Sequence, residues 1–341
     1  MNNSTELDLS DSAAIRSLMK DASNVIYGLL FVVGTGMNVF TFLTILIVCG
    51  VLTMSDTLIL SLAVADMLYL SCIPMIIANN VHGQWIWGSL MCKLHTVGIG
   101  ILRYCSALLL SALCLDRYLA ICYPMTLGKR MRTIKVALLT TAVCWLLSVL
   151  LMSPAFFHAN VDEGAKKGCV LVWDKVILNE TTNETMFVET AFTRRHFSLY
   201  TVGTGALILS ITWALYIRIL GVLWHNGFSG VKKSARKRNM KVTMTVLGLL
   251  IAYTICWLPI WLFTLLFDFY PEVIFAMGDG FYVLALFTYS LNFVNSALNP
   301  ILYTCLNDTY RGIILEECFY NGQRYMGVPS LKTTRRVNEL R

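Results

Sequence analysis

Two charged side chains, Asp66 and Arg103, occur inside long apolar stretches of the sequence. A charge near the middle of a membrane span costs at least about 2.5–3.5 kcal/mol, so each one needs a partner or a function. The uncharged polar residues expected at a similar depth are Asn38, Ser106, Asn295 and Asn299. Their oxygen atoms and a carboxylate suit a hard cation. Asp66 is either a lone protonated acid or, as we predict, the centre of a hydrated cluster that holds a sodium ion. No other metal or cofactor is indicated.

The elements that position these residues are membrane-spanning helices. Of the 341 residues, 57% are hydrophobic and 14% are charged, which is more apolar surface than a soluble chain can bury. Seven continuous apolar stretches have the roughly 20 residues that a helix needs to cross a bilayer. They are residues 25–49, 56–78, 90–115, 133–157, 197–223, 241–267 and 280–305. We therefore predict an all-α membrane protein with a bundle of seven transmembrane helices, because a barrel would show short alternating segments.

Basic residues set the orientation of this bundle. The connections at 123–135 and 224–241 contain four and six Lys or Arg residues and no acid, whereas that at 268–279 contains three acids and no base. The basic connections are predicted to be cytoplasmic, so the net charge of +7 does not require a nucleic-acid partner. The predicted organisation is an extracellular tail at 1–24, the bundle at 25–305, an amphipathic membrane-surface helix at 306–320 and a cytoplasmic tail at 321–341.

The outer face carries two further signals. Asn-x-Ser/Thr sequences on this side predict glycosylation among Asn2, Asn3, Asn179 and Asn183. Of the eleven cysteines, only Cys92 and Cys169 fall on this oxidising side. Two thiols alone in one compartment most simply pair, so we predict a disulfide bond between them. On the opposite side, Cys318 is either a palmitoylation site or a free thiol.

Three short motifs place polar, aromatic or proline residues near the inner halves of the spans. Proline removes a backbone hydrogen bond and kinks a helix, so the prolines of spans six and seven are predicted hinges. The motif residues are Asp116, Arg117 and Tyr118 at the end of span three, Trp257 and Pro259 in span six, and Asn299, Pro300 and Tyr303 in span seven.

Taken in this order and at this spacing, the motifs resemble those of the rhodopsin-like (class A) G-protein-coupled receptors over about residues 25–320. The resemblance includes Asn38, the segment 62–66 (LAVAD), the segment 85–88 (WIWG) and Trp145. It implies a plasma-membrane receptor with an extracellular N-terminus and a bundle that has two conformations.

The resemblance also implies roles for individual residues. Asp116 holds Arg117 at rest, and Arg117 reaches Tyr216 and Tyr303 when span six swings outward. Trp257 lies beneath the ligand and passes its displacement to Pro259. Met125 and Arg117 contact the G protein. The sodium pocket that favours the inactive packing is formed by Asp66, Ser106, Asn295 and Asn299.

The same resemblance narrows the ligand. Ile99 stands where receptors for biogenic amines have an aspartate, and Phe293 stands where opsins have the lysine that binds retinal. The chain looks most similar to the somatostatin, opioid, galanin and allatostatin receptor group, although the somatostatin and opioid members use the aspartate that is absent here. An extracellular neuropeptide is therefore the expected ligand, with the second outer loop at 158–195 long enough to form a hairpin lid.

Arg103 lies one helical turn below Ile99 and should face the same cavity. Its guanidinium either binds an acidic group of the ligand, such as a C-terminal carboxylate, or bridges internally to Tyr289 or Ser296. Asp268 at the outer rim either meets a basic group of the ligand or lies in a solvated loop. For three aromatic residues, ligand contact and plain helix packing are both open: Trp261, Tyr289 and Phe293.

The partners follow from the resemblance and from the short third inner loop. The resemblance and this short loop imply a heterotrimeric G protein of the Gi/o class, with arrestin and receptor kinases as further partners. No nucleophile–base pair or metal-ligand cluster is visible in the spans, so an enzyme is not expected. The alternatives are a receptor for a non-peptide acidic or lipid ligand and a transporter or channel, although the inverted repeats typical of transporters are absent from the sequence.

Overall fold

The computed structural model describes residues 3–48, 52–125, 127–162, 167–171, 174–178, 185–189, 191–226 and 233–306. The helices are α1 (Asn3–Val48), α2 (Met54–Leu70), α3 (Ile73–His82), α4 (Gly88–Cys122), α5 (Leu127–Met131), α6 (Ile134–His158), α7 (Ala191–Asn226), α8 (Lys233–Phe269), α9 (Pro271–Phe275) and α10 (Gly280–Leu306). The strands are β1 (Ala159–Asp162), β2 (Gly168–Leu171), β3 (Asp174–Leu178) and β4 (Thr185–Glu189). Asn2, Asn179, Asn183 and Cys318 lie outside the described residues, as do residues 307–341, so the predictions made for them stay predictions.

Seven helical segments of the described chain are long and apolar enough to cross a membrane. They are Ala14–Ile47, Met54–His82, Gly88–Cys122, Ile134–His158, Arg194–His225, Met240–Phe269 and Gly280–Tyr303. The predicted seven-helix bundle is confirmed, and most boundaries differ from the prediction by only a few residues. The first span is the exception, because α1 begins at Asn3 and continues without a break into the predicted tail.

The second span is broken between α2 and α3. Ser71 ends α2, Cys72 precedes α3, and Pro74 lies in the first turn of α3, where its missing N–H costs no helical hydrogen bond. At the outer end of α3, Gly83 adopts a φ of 66°, a left-handed conformation that glycine adopts without a steric cost. The inner end of α2 is fixed by a capping box between Thr53 and Asp56.

The predicted hinge prolines lie inside continuous helices. Pro259 is within α8, Pro300 is within α10, and a third proline, Pro154, is within α6. A proline in a helix interior leaves a carbonyl oxygen without its usual donor, so these are points where the helix bends most easily. Their role as hinges stays a prediction, since one conformation shows a position and not a movement.

Polar side chains connect neighbouring helices within the apolar bundle. Trp145 on α6 donates from Nε1 to Ser61 Oγ on α2 at 3.1 Å. Asn38 on α1 donates to the Ser296 carbonyl on α10 at 3.0 Å, and the Tyr104 hydroxyl on α4 lies 2.6 Å from Thr204 Oγ1 on α7. Such bonds contribute about 0.6 kcal/mol each on average in a membrane bundle, so they fix which faces meet more than they stabilise the whole.

The second outer loop contains two antiparallel hairpins, as the sequence predicted for a lid. β1 pairs with β2, with Val161 opposite Cys169, and β3 pairs with β4. The predicted disulfide bond is present between Cys169 and Cys92, whose Cα atoms are 5.4 Å apart. It attaches β2 to the first turns of α4, and Ser89 Oγ donates to Asn160 Oδ1 at 2.7 Å beside it. The end of the bundle that carries these hairpins is called the outer end below.

The contact between Trp145 and Ser61 gives a test of the packing of α6 on α2. In a double-mutant cycle, Trp145→Phe and Ser61→Ala should each lower the thermal stability of the detergent-solubilised protein, with a coupling of about 0.5–1.5 kcal/mol, because both remove the same hydrogen bond. As a control, Ser153→Ala removes a bond within α6 and should add independently to Trp145→Phe. Full additivity of the first pair would contradict the contact.

Candidate functional site

A cavity of about 880 Å³ lies among the outer halves of the helices. It is lined by side chains of α1, α2, α3, α4, α6, α7, α8 and α10, and Cys169 and Leu171 of β2 border it. A site of this kind is concave, mostly apolar and of the size that takes a small ligand or the end of a peptide. The hairpin and the disulfide bond therefore hold the loop at the mouth of the cavity.

Five of the six predicted ligand contacts line this cavity: Ile99, Arg103, Trp261, Tyr289 and Phe293. Trp261 is buried against α7, where a Cβ atom on Gly205 would come within 2.8 Å of its ring, so the glycine makes room for the indole. Phe293 is buried and its ring contacts Tyr27 and Tyr69. Tyr289 is 47% exposed and available to a ligand.

Arg103 occupies the floor of the cavity. Its guanidinium lies over the Trp257 ring, with Cζ 4.8 Å from the ring centroid, and it is also close to the Tyr69 hydroxyl. Its buried Nε has no hydrogen-bond partner among the described residues. The sequence predicted that Arg103 faces the cavity but pointed to Tyr289 or Ser296 as internal partners, and the ring beneath it was missed. A cation over an indole with a spare donor can still accept an anion.

Asp268 does not lie in a solvated loop, and its contact with a ligand stays a prediction. Its residue is only 3% exposed, and it is not among the residues that line the cavity. Asp268 Oδ1 lies 2.9 Å from Arg194 Nε, and Oδ2 accepts a hydrogen bond from Ser198 Oγ. Arg195 also donates to the Asp268 carbonyl at 2.8 Å. Because a buried carboxylate needs a counter-charge, Asp268 joins the outer ends of α7 and α8 and is shielded from the solvent.

The charged side chains that line the cavity are all basic. Among the described lining residues, the charged side chains are Arg16, Lys20 and Arg103, and no Asp or Glu accompanies them. Arg16 and Lys20 come from the outer extension of α1, which the sequence assigned to a tail. Their spacing with Ser23 and Tyr27 places all four residues on one face of a helix, and this pattern could have indicated that the helix extends into the predicted tail. A cavity with this lining favours an anionic group over an amine.

Below the cavity, the predicted sodium residues come together. Asp66 is fully buried, and Asn299 Nδ2 donates to its Oδ2 at 2.7 Å. The hydroxyls of Ser106 and Ser296 also approach the same carboxylate. Asp66 Oδ1 and Asn295 Oδ1 are both buried acceptors that lack a donor in the described chain. Unsatisfied oxygens around a buried carboxylate fit a small hard cation.

At the inner end, Asp116 and Arg117 form a buried ion pair. Asp116 is completely buried, Arg117 Nε donates to its Oδ2 at 2.9 Å, and Ser55 Oγ donates to the same oxygen at 2.8 Å. Arg132, which follows α5, donates from Nε to Asp116 Oδ1 at 2.6 Å. This is the arrangement predicted for the resting state, with Arg132 as a second cation that the sequence did not reveal. Tyr118, by contrast, is not part of this ion pair, and its ring packs edge-on against the ring of Tyr123.

The other predicted switch residues form no hydrogen bond with Arg117 among the described residues. Tyr216 is buried and its hydroxyl donates to the Thr243 carbonyl of α8 at 3.2 Å. The Tyr303 hydroxyl is buried without a partner in the described residues. Trp257 stacks on Tyr253 one turn earlier in α8, with ring centroids 5.5 Å apart. Met125 is 85% exposed at the inner surface, where a partner can reach it.

Seven helices able to cross a membrane, a lidded outer cavity and a buried inner ion pair are the features expected of a seven-helix membrane receptor. Residues 37–303 match the family of seven-transmembrane receptors of the rhodopsin type, so the chain belongs to this family. It is 29% identical over 290 residues to somatostatin receptor type 5 of Bos taurus, with 84% of this chain and 73% of that protein covered.

Other relatives have the same extent of similarity. The urotensin-2 receptor of Bos taurus is 30% identical over 292 residues, covering 84% of this chain and 70% of the relative. Galanin receptor 2a of Danio rerio is 29% identical over 297 residues, covering 84% and 75%. The protein is therefore a multi-pass plasma-membrane receptor and not an enzyme.

The burial of Asp268 gives a test that separates a structural from a ligand-binding role. Asp268→Asn keeps an acceptor for Ser198 but removes the charge that pairs with Arg194, so unfolding should require about 1–3 kcal/mol less free energy, after discounting for the partly exposed arginine. Thermal unfolding measures this change. Asp279→Asn is the matched control, because Asp279 pairs with the exposed Arg16 and should matter little. An unchanged melting temperature for Asp268→Asn would contradict the internal role.

Proposed function

We propose that this receptor binds an extracellular neuropeptide through an acidic group and activates a heterotrimeric G protein of the Gi/o class. The observation that carries the proposal is Arg103, a cation with a free donor on the floor of a lidded cavity and directly over Trp257. The names of the relatives support the peptide, since somatostatin, galanin and urotensin-2 are what those receptors are named for.

The chemistry of the cavity favours a peptide acid over an amine. An amine would need a carboxylate in the lining, and the described lining residues include none. Ile99 stands at the position where receptors for biogenic amines have an aspartate. Arg103 offers a planar guanidinium that suits a carboxylate. The β1–β2 hairpin and the open mouth of the cavity leave room for a chain that continues outward.

A route from the ligand to the inner surface follows the contacts of Trp257. A carboxylate that draws the guanidinium of Arg103 away from the indole removes a cation–π contact, which contributes on the order of 1–2 kcal/mol when desolvated. The indole is stacked on Tyr253 and lies two residues before Pro259, the point where α8 bends most easily. A ligand that binds one arrangement of this unit better than the other shifts the population of the whole receptor.

The inner partner is proposed from the charge of the cytoplasmic connections. The segment 224–241 contains six basic residues and no acid, and it is short, as in the receptor group that the motifs resemble. Met125 and Arg117 are the proposed contacts, the first exposed at the surface and the second released from Asp116. Arrestin and receptor kinases are proposed as further partners of the activated form.

Nucleotide release from purified Gα subunits tests the proposal. With the receptor in nanodiscs and a library of synthetic neuropeptides, at least one peptide should accelerate release from a Gi/o subunit more than from Gs or Gq. Arg103→Gln should lower its potency about 10- to 100-fold, the cost of a lost charge-assisted hydrogen bond of about 1.5–3 kcal/mol, and Arg103→Lys should lower it less.

Lys167→Gln is the control, because this lysine is exposed on the outer hairpin and does not line the cavity. Release that no peptide accelerates from any Gα subunit, with the fold verified, would refute the proposed function. Acceleration only by small carboxylic acids or by lysophospholipids would instead establish the alternative ligand class.

We also propose that the cluster around Asp66 is a sodium site. Asp66 would hold the ion with oxygen atoms of Ser106 and Asn295, while Asn299 keeps its hydrogen bond to the carboxylate. A bound cation neutralises the buried charge and connects α2, α4 and α10. It therefore favours the packing in which these residues are close together.

Sodium dependence of stability tests this site without an agonist. Replacing choline chloride by sodium chloride at equal ionic strength should raise the melting temperature of the purified receptor. Asp66→Asn keeps a hydrogen-bonding partner for Asn299 but should abolish the sodium effect, whereas Asp56→Asn, in the capping box at the inner end of α2, should preserve it. An equal sodium effect in Asp66→Asn would disprove the site.

A further inference from the structure

The outer extension of α1 forms one wall of the cavity. Residues on a single face of this helix line the cavity at the spacing of successive turns: Arg16, Met19, Lys20, Ser23 and Tyr27. Contacts with other elements hold the wall in place. Arg16 Nε lies 3.2 Å from Asp279 Oδ1, and Asn80 Nδ2 donates to Asn24 Oδ1 at 3.0 Å. The extension is therefore built into the site rather than appended to it.

Within this wall, Lys20 is the cation that remains available. Arg16 already pairs with Asp279 and also lies over the Tyr282 ring. The ammonium of Lys20 makes only a long contact of 3.5 Å with the Val81 carbonyl, and it forms no ion pair with any acid in the described ranges. Beside it, the buried Oδ1 of Asn79 has no donor among the described residues.

We propose that the ligand carries two acidic groups, one for Arg103 on the floor of the cavity and a second for Lys20 at its rim. This inference rests on the proposed function and narrows it to one class, a peptide with two anionic groups separated by apolar residues. Both cations line the same cavity and no acid is among its described lining residues, so each can pair with an anionic group of the ligand.

The surface between the two cations is aromatic. From Lys20, the helix leads to Tyr27, whose ring is 5.6 Å from that of Phe293. Phe293 is 4.8 Å from Tyr69, and Tyr69 is next to Arg103. Aromatic rings bury large apolar area and bind apolar or aromatic side chains. The residues of the ligand between its two acidic groups should therefore be apolar.

The helix also gives an approximate length scale for that separation. Lys20 and Tyr27 are seven residues apart, which corresponds to about 10 Å along an α-helix. An extended peptide advances about 3.3 Å per residue, so it needs about three residues to cover this distance. We infer that about three to five residues separate the acidic groups of the ligand.

Affinity selection from a random octapeptide library with free C-termini tests the inference with the full chain in nanodiscs. The wild-type receptor should enrich peptides with an acidic group at one end of an apolar segment and a second acid three to five residues away. Lys20→Glu should reverse the preference at one of these positions from Asp or Glu to Lys or Arg. Lys20→Gln should abolish the preference there, with about a fivefold to tenfold loss of affinity for the wild-type peptides.

Lys167→Glu is the matched control, an exposed lysine of the outer hairpin whose reversal should leave the selected sequences unchanged. Equal melting temperatures of the variants show that the fold is retained. Peptides that are enriched in the same way by wild type and Lys20→Glu would overturn the second anionic contact and leave the proposed function intact. An absence of enrichment over empty nanodiscs would count against the peptide ligand, and the inference would fail with it.

Discussion

The carboxylate of Asp116 is completely buried at the end of the longest apolar bundle segment, and it is surrounded by two guanidinium groups and a hydroxyl. In a low-dielectric interior, removing one partner of such a pair leaves an uncompensated charge, which costs several kcal/mol. Arg117 therefore cannot leave Asp116 unless another polar group receives it. Arg132 makes the departure less costly, because it stays on Asp116 Oδ1 while Arg117 moves. The arrangement of the inner half of the bundle depends on this exchange.

The same requirement explains where the bundle can change its packing. Buried polar atoms normally have partners, and those without them mark places where another arrangement offers one. In the described chain, five of these atoms belong to the cavity floor, the proposed sodium cluster and the switch motifs: Arg103 Nε, Trp257 Nε1, Asp66 Oδ1, Asn295 Oδ1 and the Tyr303 hydroxyl. A second packing that gives these atoms partners would be stabilised by the new hydrogen bonds, as the proposed activation requires.

The spans, the disulfide bond and the polar cluster could be predicted from the sequence, because each depends on local residue types or on the side of the membrane. Hydropathy located the spans, the side of the membrane selected Cys92 and Cys169, and motif spacing brought Asp66 and Asn299 together. The break between α2 and α3 could also have been predicted, because Pro74 favours the first turn of a new helix. The burial of Asp268 could not, since it depends on Arg194 from another helix. The outer extension of α1 was missed because it is polar, and hydropathy finds only the part of a helix that lies in lipid.

These two missed features both add contacts at the outer end of the receptor. Asp268 connects α8 to α7, and Arg194 and Arg195 lie over Phe267 and Phe269. The exposed pair of Arg16 and Asp279 brings α1 close to the start of α10 but adds little stability. Further inward, Trp213 on α7 donates to Thr254 Oγ1 on α8, and Tyr216 donates to the Thr243 carbonyl. If α8 bends at Pro259, as the sequence predicts, ligand contacts near its outer end displace its inner half, where the proposed G protein would bind.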